Sequence, residues 1–282
     1  MAKRNFVTQG PIKLHSIAQP VYTDAQINPT IQPFGTQAIK ENAPTIVSLK
    51  NVSGKLHWIK KTHYRLSRLF YKLNFSIYQN RHTVLVSLNP LRTFELARMI
   101  DFTLNPGGGQ IIRDDLTIDL IKLKKKFTYK AKLTGFKTVG DWINHVISFT
   151  NNPIPKSHLA ILTTTFGFQN SLLSDPKRLD SYDLLKLKIL LKLLSSKKIC
   201  VLDEVWFRLP SQHRKYLIDA ISDYVTINKL TLIICTDVDR EIEEMGLQVI
   251  LVGQKKILVN LQLQRYLKTF TSIHDLFERF SA

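Results

Sequence analysis

The stretch Lys197-Lys198-Ile199-Cys200-Val201-Leu202-Asp203-Glu204 decides how the rest of the chain is read. Four apolar residues bounded by lysines and by two carboxylates have the length and composition of a fully buried strand. A buried strand that ends in Asp-Glu suits a nucleotide hydrolase, where the first carboxylate holds magnesium and the second activates water. That chemistry also needs a glycine-rich loop for the phosphates and a lysine to neutralise them.

Working outward, the downstream sequence alternates strands and helices. Asp183–Ser195, DLLKLKILLKLLS, reads as a long apolar helix capped by Asp180 or Ser181. A helix over Ser211–Ile227, a strand over Leu230–Thr236 and a helix over Asp239–Met245 follow. A strand pair turning at Gly253 and a terminal helix, SIHDLFERF, close the chain. Upstream, Thr45 opens an alternating strand, and FYKLNFSIYQNRHTVLVSLNP, residues 70–90, contains a second strand, a turn at Gln79–Asn80–Arg81 and a fully apolar third strand, Thr83–Val86. TFELARMIDFTL has helical spacing, broken by NPGGGQ. IIRDDLTIDLIKLK reads as strands, and Trp142–Phe149 and His158–Phe166 as short helices. Strand–helix–strand alternation around apolar strands predicts an α/β core with a parallel sheet, joined by an antiparallel lobe.

The 282 residues have a formal net charge of +18, and most of the surplus lies in one half. Residues 45–150 hold 18 Lys and Arg against 6 Asp and Glu, whereas residues 151–282 hold 18 against 14. Such a field favours an anionic partner: acidic lipid, nucleic acid or a charged polymer. Lys122–Lys132, KLKKKFTYKAK, is the densest basic run and reads as an edge strand or a binding patch. HYRLSRLFYKLNF, residues 63–75, interleaves basic and aromatic residues and reads as an amphipathic helix facing lipid phosphates, or as a nucleic-acid contact. Residues 1–44 are polar and rich in proline and glutamine, the composition of a flexible leader. The start has no apolar signal core, and no apolar run reaches membrane-spanning length, so a cytoplasmic location is expected. The two cysteines, Cys200 and Cys235, sit in apolar strands, and the histidines lack metal spacing.

In this order the segments over residues 45–282 resemble the ATP-binding subunit of an ABC transporter. IVSLKNVS resembles that family's opening strand and LNFSIYQNRHTVLVSLNP the strand into its phosphate loop. LARMIDFTLNPGGGQI resembles the helix and Pro-x-x-Gly turn that follow, and KKICVLDE the Walker B strand. LTLIICTD resembles the strand before the switch residue, and LQVILVGQKKIL and SIHDLFERF the closing hairpin and helix. The basic insert after NVSGKLHW and the segment KLTGFKTVGDWI resemble exporters of teichoic acid, O-antigen and capsular polysaccharide.

The resemblance implies an ABC-type P-loop NTPase fold: a RecA-like core, an antiparallel β lobe and a helical subdomain at about 140–195. It also implies ATP and magnesium as cofactors, a membrane permease as partner, homodimerisation or heterodimerisation with another ATP-binding subunit, and a peripheral place on the inner face of the plasma membrane.

Residue by residue the family's chemistry is eroded. Its Gly-x-Asn-Gly-x-Gly-Lys loop falls on Ser87-Leu88-Asn89-Pro90-Leu91-Arg92-Thr93, and Phe94 and Glu95 replace the two hydroxyls. Pro90 lacks an N–H, Phe94 crowds the metal position and Glu95 repels phosphate. The signature motif falls on Leu179 to Asp183, with Ser181 and Tyr182 at its centre, and the switch histidine on Asp237. The D-loop aspartate falls near Pro210, and the adenine-stacking aromatic near Leu56. Asp203 then has two readings, a magnesium ligand or a relic, and Glu204 two, a general base or a relic; the eroded loop favours the relic. The expected function is an exporter subunit impaired in ATP hydrolysis, and the alternative a non-catalytic module that binds nucleic acid or another polyanion.

Overall fold

The computed structural model describes residues 43–54, 69–113, 115–150 and 154–281. It has two sheets. The first is a three-stranded antiparallel lobe in the order β2-β1-β4, formed by β1 (Thr45–Gly54), β2 (Phe70–Tyr78) and β4 (Gly108–Ile112). The second has five strands: β3 (Thr83–Val86), β5 (Ile199–Leu202), β6 (Thr231–Cys235), β7 (Gln248–Val252) and β8 (Ile257–Gln262). Their order is β5-β6-β3-β7-β8, parallel except for β8, which returns antiparallel on β7.

Period-two side chains of the central sheet feed two cores. Val84, Val86, Cys200, Leu202, Leu232, Ile234, Val249 and Leu251 face one helical layer. That layer includes α2 (Ile118–Lys125), α3 (Val139–Thr150), α4 (Lys156–Thr165), α5 (Ser181–Leu194) and α7 (Ser211–Ile227). Leu85, Ile199, Val201, Ile233, Cys235, Ile250 and Val252 face the other way, onto α1 (Pro90–Ile100) and the antiparallel lobe. Each aliphatic side chain buried this way contributes roughly 1.5–3 kcal/mol. Both faces are covered, which is why these strands read as unbroken apolar runs. Short helices α6 (Glu204–Arg208), α8 (Asp239–Met245), α9 (Leu263–Thr269) and α10 (Ile273–Ser281) complete the chain. Both cysteine thiols are free and buried.

Ile199–Leu202 and Leu232–Cys235 are neighbouring parallel strands, and Thr83–Val86 pairs with the second of them, as the sequence predicts. Asp180 is the residue that caps α5. Two expectations are corrected. IIRDDLTIDLIKLK is a strand only in its first part, because Ile118–Lys125 is helical. The basic run from Lys122 therefore starts on a helix rather than on an edge strand, and its Lys124 is buried. Residues 70–75, read both within a second strand and within an amphipathic helix, lie in β2, where Phe70 and Leu73 are buried, so the strand reading holds and the helix reading falls. Residues 63–68, Leu56 and residues 1–42 lie outside the described residues.

Candidate functional site

In an open parallel sheet ligands gather at the carboxyl ends of the strands. Ser87 follows β3 there, Asp203 follows β5, and Asp237 lies two residues beyond β6. The β3–α1 junction is where a phosphate loop would stand. Only Ser87, Leu88 and Asn89 separate the strand from the helix. Asn89 is the N-cap and accepts from the Leu91 N–H at 3.1 Å, and Pro90 takes the first helical position, where a missing N–H costs nothing. The helix thus begins where the family's loop would still be wrapping phosphate.

The side chains of that junction are committed to the protein. The Ser87 hydroxyl donates to the Val252 carbonyl at 2.8 Å, and the Thr93 hydroxyl to the Pro90 carbonyl at 2.8 Å. Arg92 is buried and donates from Nε to the Leu69 carbonyl at 2.8 Å, so its charge points into the antiparallel lobe. Phe94 is buried edge-on against Phe207 of α6, ring centroids 4.9 Å apart. Cys235 of β6 donates to the Thr93 carbonyl at 3.4 Å, tying this turn of α1 to the sheet.

Asp203 is held from both sides. Its Oδ1 accepts from the Val205 N–H at 3.2 Å and caps α6. Its Oδ2 lies 3.2 Å from the Nζ of Lys192, on α5. Lys192 also reaches Asp101 at 3.5 Å, and Asp101 pairs with Lys124 at 2.7 Å and with Arg113 at 3.6 Å. Arg113 makes a two-pronged pair with Asp115. Three cations and three carboxylates thus form one buried chain. Burial opposes ionisation of Asp101, but Lys124, Lys192 and Arg113 outweigh it and hold the carboxyl below its usual range. Lys188, one turn before Lys192, donates to the carbonyls of Thr128, Tyr129 and Ala131 at 2.5–3.0 Å, while burial draws its pKa down to about 8. Glu204 opens α6 and pairs with Arg208 at 3.4 Å.

The signature-equivalent residues are likewise occupied. The Asp180 carboxylate accepts from the N–H groups of Tyr182 and Asp183 at 2.8 and 2.7 Å. The N-terminal end of α5, which would attract a phosphate, already holds an anion of its own. Ser181 is exposed at the first helical position, and Tyr182 stacks on His213 of α7 at 5.3 Å. Beyond β6, Asp237 is half-buried and its charge acts on Arg214. Arg214 pairs with Glu241, whose carboxylate also accepts from Thr236 and Trp206.

Magnesium and ATP do not fit this set. The hydroxyls donate to backbone carbonyls, the guanidinium of Arg92 is turned away, and both oxygens of Asp203 have partners. No group of three or more candidate metal ligands occurs among the described residues. Reading the sequence missed Lys188, Lys192, Asp101 and Glu241. The signal available was the four-residue spacing of Lys188 and Lys192 on a largely apolar helix, which places both on one face.

Glu95 carries a measurable consequence of the altered junction. One carboxylate oxygen is buried without a partner, and burial, opposed by Arg98, pushes its pKa up to about 7. The folded state therefore keeps a proton that the unfolded chain releases at lower pH, so this group's stabilisation falls as pH rises toward 7. Glu95→Gln should leave the urea midpoint near the unmodified value at about pH 5 and raise it at about pH 8. An unchanged difference between the two pH values would show that Glu95 titrates normally.

No family model matches the sequence, and no curated protein matches it either. Solved structures do. One described as the ATP-binding subunit of an ABC transporter superposes with a TM-score of 0.65 at 14% identity, covering 84% of this chain and 100% of that one. A dimeric bacterial ABC transporter cassette gives 0.59 at 15% identity, covering 77% and 98%. A dimeric ATP-binding cassette in a post-hydrolysis state with ADP and Pi gives 0.58 at 14% identity, also covering 77% and 98%. At such identities the likeness establishes the fold: the chain has the α/β architecture of an ABC-type ATP-binding cassette. No described helix is long and apolar enough to cross a membrane.

Proposed function

We propose that the chain works as a cassette-type subunit of an ABC exporter of polysaccharide or teichoic acid and does not itself hydrolyse ATP. In this reading it sits on the cytoplasmic face, held by a membrane permease, as the silent half of a heterodimer or as a scaffold. The leader at 1–44 and a helical subdomain at about 140–195 are the divisions it implies. The observation that carries the reading is the state of Asp203, whose carboxylate is neutralised by Lys192 where a working cassette would place magnesium. The dimeric cassettes among the structural neighbours support pairing. The export class rests on the resemblance of KLTGFKTVGDWI and of the basic insert.

The test is turnover. Preorganised groups that stabilise a developing charge are worth about 3–4 kcal/mol each, and this junction lacks several. Purified protein is expected to hydrolyse ATP no faster than its Glu204→Gln variant, and a Glu204-dependent rate would overturn the proposal. Copurification with a permease separates this reading from the polyanion-binding module, which the net charge of +18 supports. That module would instead show nucleic-acid affinity falling steeply with salt.

A further inference from the structure

The segments around the N-terminal end of α3 hold more lysines than carboxylates and carry a protruding leucine. Lys125, Lys126, Lys132 and Lys137 are all exposed there. Three carboxylates lie on these segments: Asp119 pairs with Lys122 at 3.3 Å, Asp141 accepts from the Thr138 N–H at 3.0 Å, and Asp175 accepts from the Lys177 N–H at 2.9 Å. An aromatic cluster stands beside two of the lysines. The Lys126 ammonium lies 5.3 Å from the centre of the buried Trp142 ring. Phe136, beside Lys137, packs edge-on against Trp142 at 4.8 Å and tilted against His145 at 4.6 Å.

A tight turn is pinned onto the same end of α3. The Val139 N–H donates to the Ser174 carbonyl at 3.0 Å and the Gly140 N–H to the Leu172 carbonyl at 2.8 Å. A Cβ at Gly140 would stand 3.1 Å from the Leu172 oxygen, so glycine allows the close approach. The residue between the two anchors, Leu173, is 89% exposed. An aliphatic side chain held outward by two backbone hydrogen bonds needs little further ordering to meet a partner.

We propose that this end of the molecule docks on an acidic lipid surface, with Leu173 entering the boundary between headgroups and acyl chains and the lysines meeting lipid phosphates. Charge complementarity selects an anionic partner. The protruding group selects a bilayer over a nucleic acid. Bases need open aromatic faces to stack on, whereas Trp142 is buried and packed against Phe136, and the exposed group is aliphatic.

The experiment uses the full chain and sedimentation with vesicles of phosphatidylcholine, alone or mixed with phosphatidylglycerol. No permease is present, so failure here leaves the cassette reading standing. Binding is expected only to the mixed vesicles and should weaken with salt. Leu173→Ser should weaken it about tenfold. Lys125→Gln/Lys132→Gln/Lys137→Gln should weaken it on the order of a hundredfold, at about fivefold per lysine. All three side chains are exposed and Leu173 makes little contact, so thermal melts should match that of the unmodified chain and keep the result interpretable. The proposal is overturned by absence of binding, by undiminished binding of Leu173→Ser, or by a single-stranded oligonucleotide that removes the protein from vesicles at equal phosphate concentration.

Discussion

Replacing Lys192 by methionine should destabilise the protein by about 3–5 kcal/mol, the usual cost of removing one partner from a buried ion pair. Lys192 and Asp203 are each 1% exposed in their side chains, so water cannot compensate for the loss. Asp101 keeps Lys124 and Arg113 when Lys192 is gone, so the stranded charge is that of Asp203. Its Oδ2 then loses its ion pair, the Val205 N–H remains on Oδ1, and Lys188 acts on it only from beyond pairing distance. The double variant Lys192→Met/Asp203→Asn removes both charges and should recover most of the lost stability, since replacing a whole buried pair is often close to neutral. Urea denaturation of the four members of the cycle gives the coupling directly. A Lys192→Met variant within about 1 kcal/mol of the unmodified protein would mean that the lysine does not neutralise Asp203. Freeing Asp203 should not create a magnesium-dependent hydrolase, because the β3–α1 junction still lacks a phosphate cradle.

The central sheet was legible in the sequence because its strands are buried on both faces. Ile199–Leu202 and Thr231–Cys235 are short runs in which every side chain is apolar or can be hidden, and their bounds are set by lysines and carboxylates. The site was legible only as a row of wrong residues in a loop. The start of α1 at Pro90 is also written in the sequence: Asn89-Pro90 is a helix N-cap followed by a proline at the first helical position. Matching residue by residue to a longer motif hid it. The expected strand at Ile118–Lys125 fails for a different reason. Its buried face is Leu120, Leu123 and Lys124, a helical spacing that appears only if a lysine is counted as an inward residue. Lys124 turns inward because Asp101 waits for it, 23 residues away, and nothing in the local pattern announces that pair. Lys188 and Lys192 give only the weaker hint of their four-residue spacing on α5. Charged side chains that pair across long separations read as surface, so the polar interior of this protein is the part that its sequence conceals.

That polar interior has a second centre, and Glu241→Ala should expose it with a loss of about 3–5 kcal/mol or more. The Glu241 side chain is 3% exposed, and its carboxylate accepts from three donors and stands in ion-pair contact with a further nitrogen. Oε2 accepts from the Thr236 hydroxyl at 2.6 Å, the Trp206 indole at 2.9 Å and Arg214 Nη1 at 3.2 Å. Oε1 lies 3.1 Å from Arg214 Nε. Burial draws the Arg214 pKa down, and Glu241 and Asp237 act against that pull. Without Glu241 a buried guanidinium loses its counter-ion and the indole loses its partner. Glu241→Gln keeps an oxygen for Trp206 and Thr236 but drops the charge, so it should fall between the unmodified protein and Glu241→Ala. Glu241→Leu combined with Arg214→Leu removes the stranded cation and should cost less than Glu241→Ala alone. Thr236 ends the segment after β6 and Trp206 stands just past Asp203 and Glu204, so this one carboxylate ties together the ends of two neighbouring strands. Loss of the tie should appear as faster amide exchange over residues 203–210 and 236–245, together with a lower urea midpoint. If Glu241→Ala unfolds at the unmodified midpoint, the carboxylate is not what holds these strand ends, and the packing of Trp206 and Phe207 beside Arg214 must do so instead.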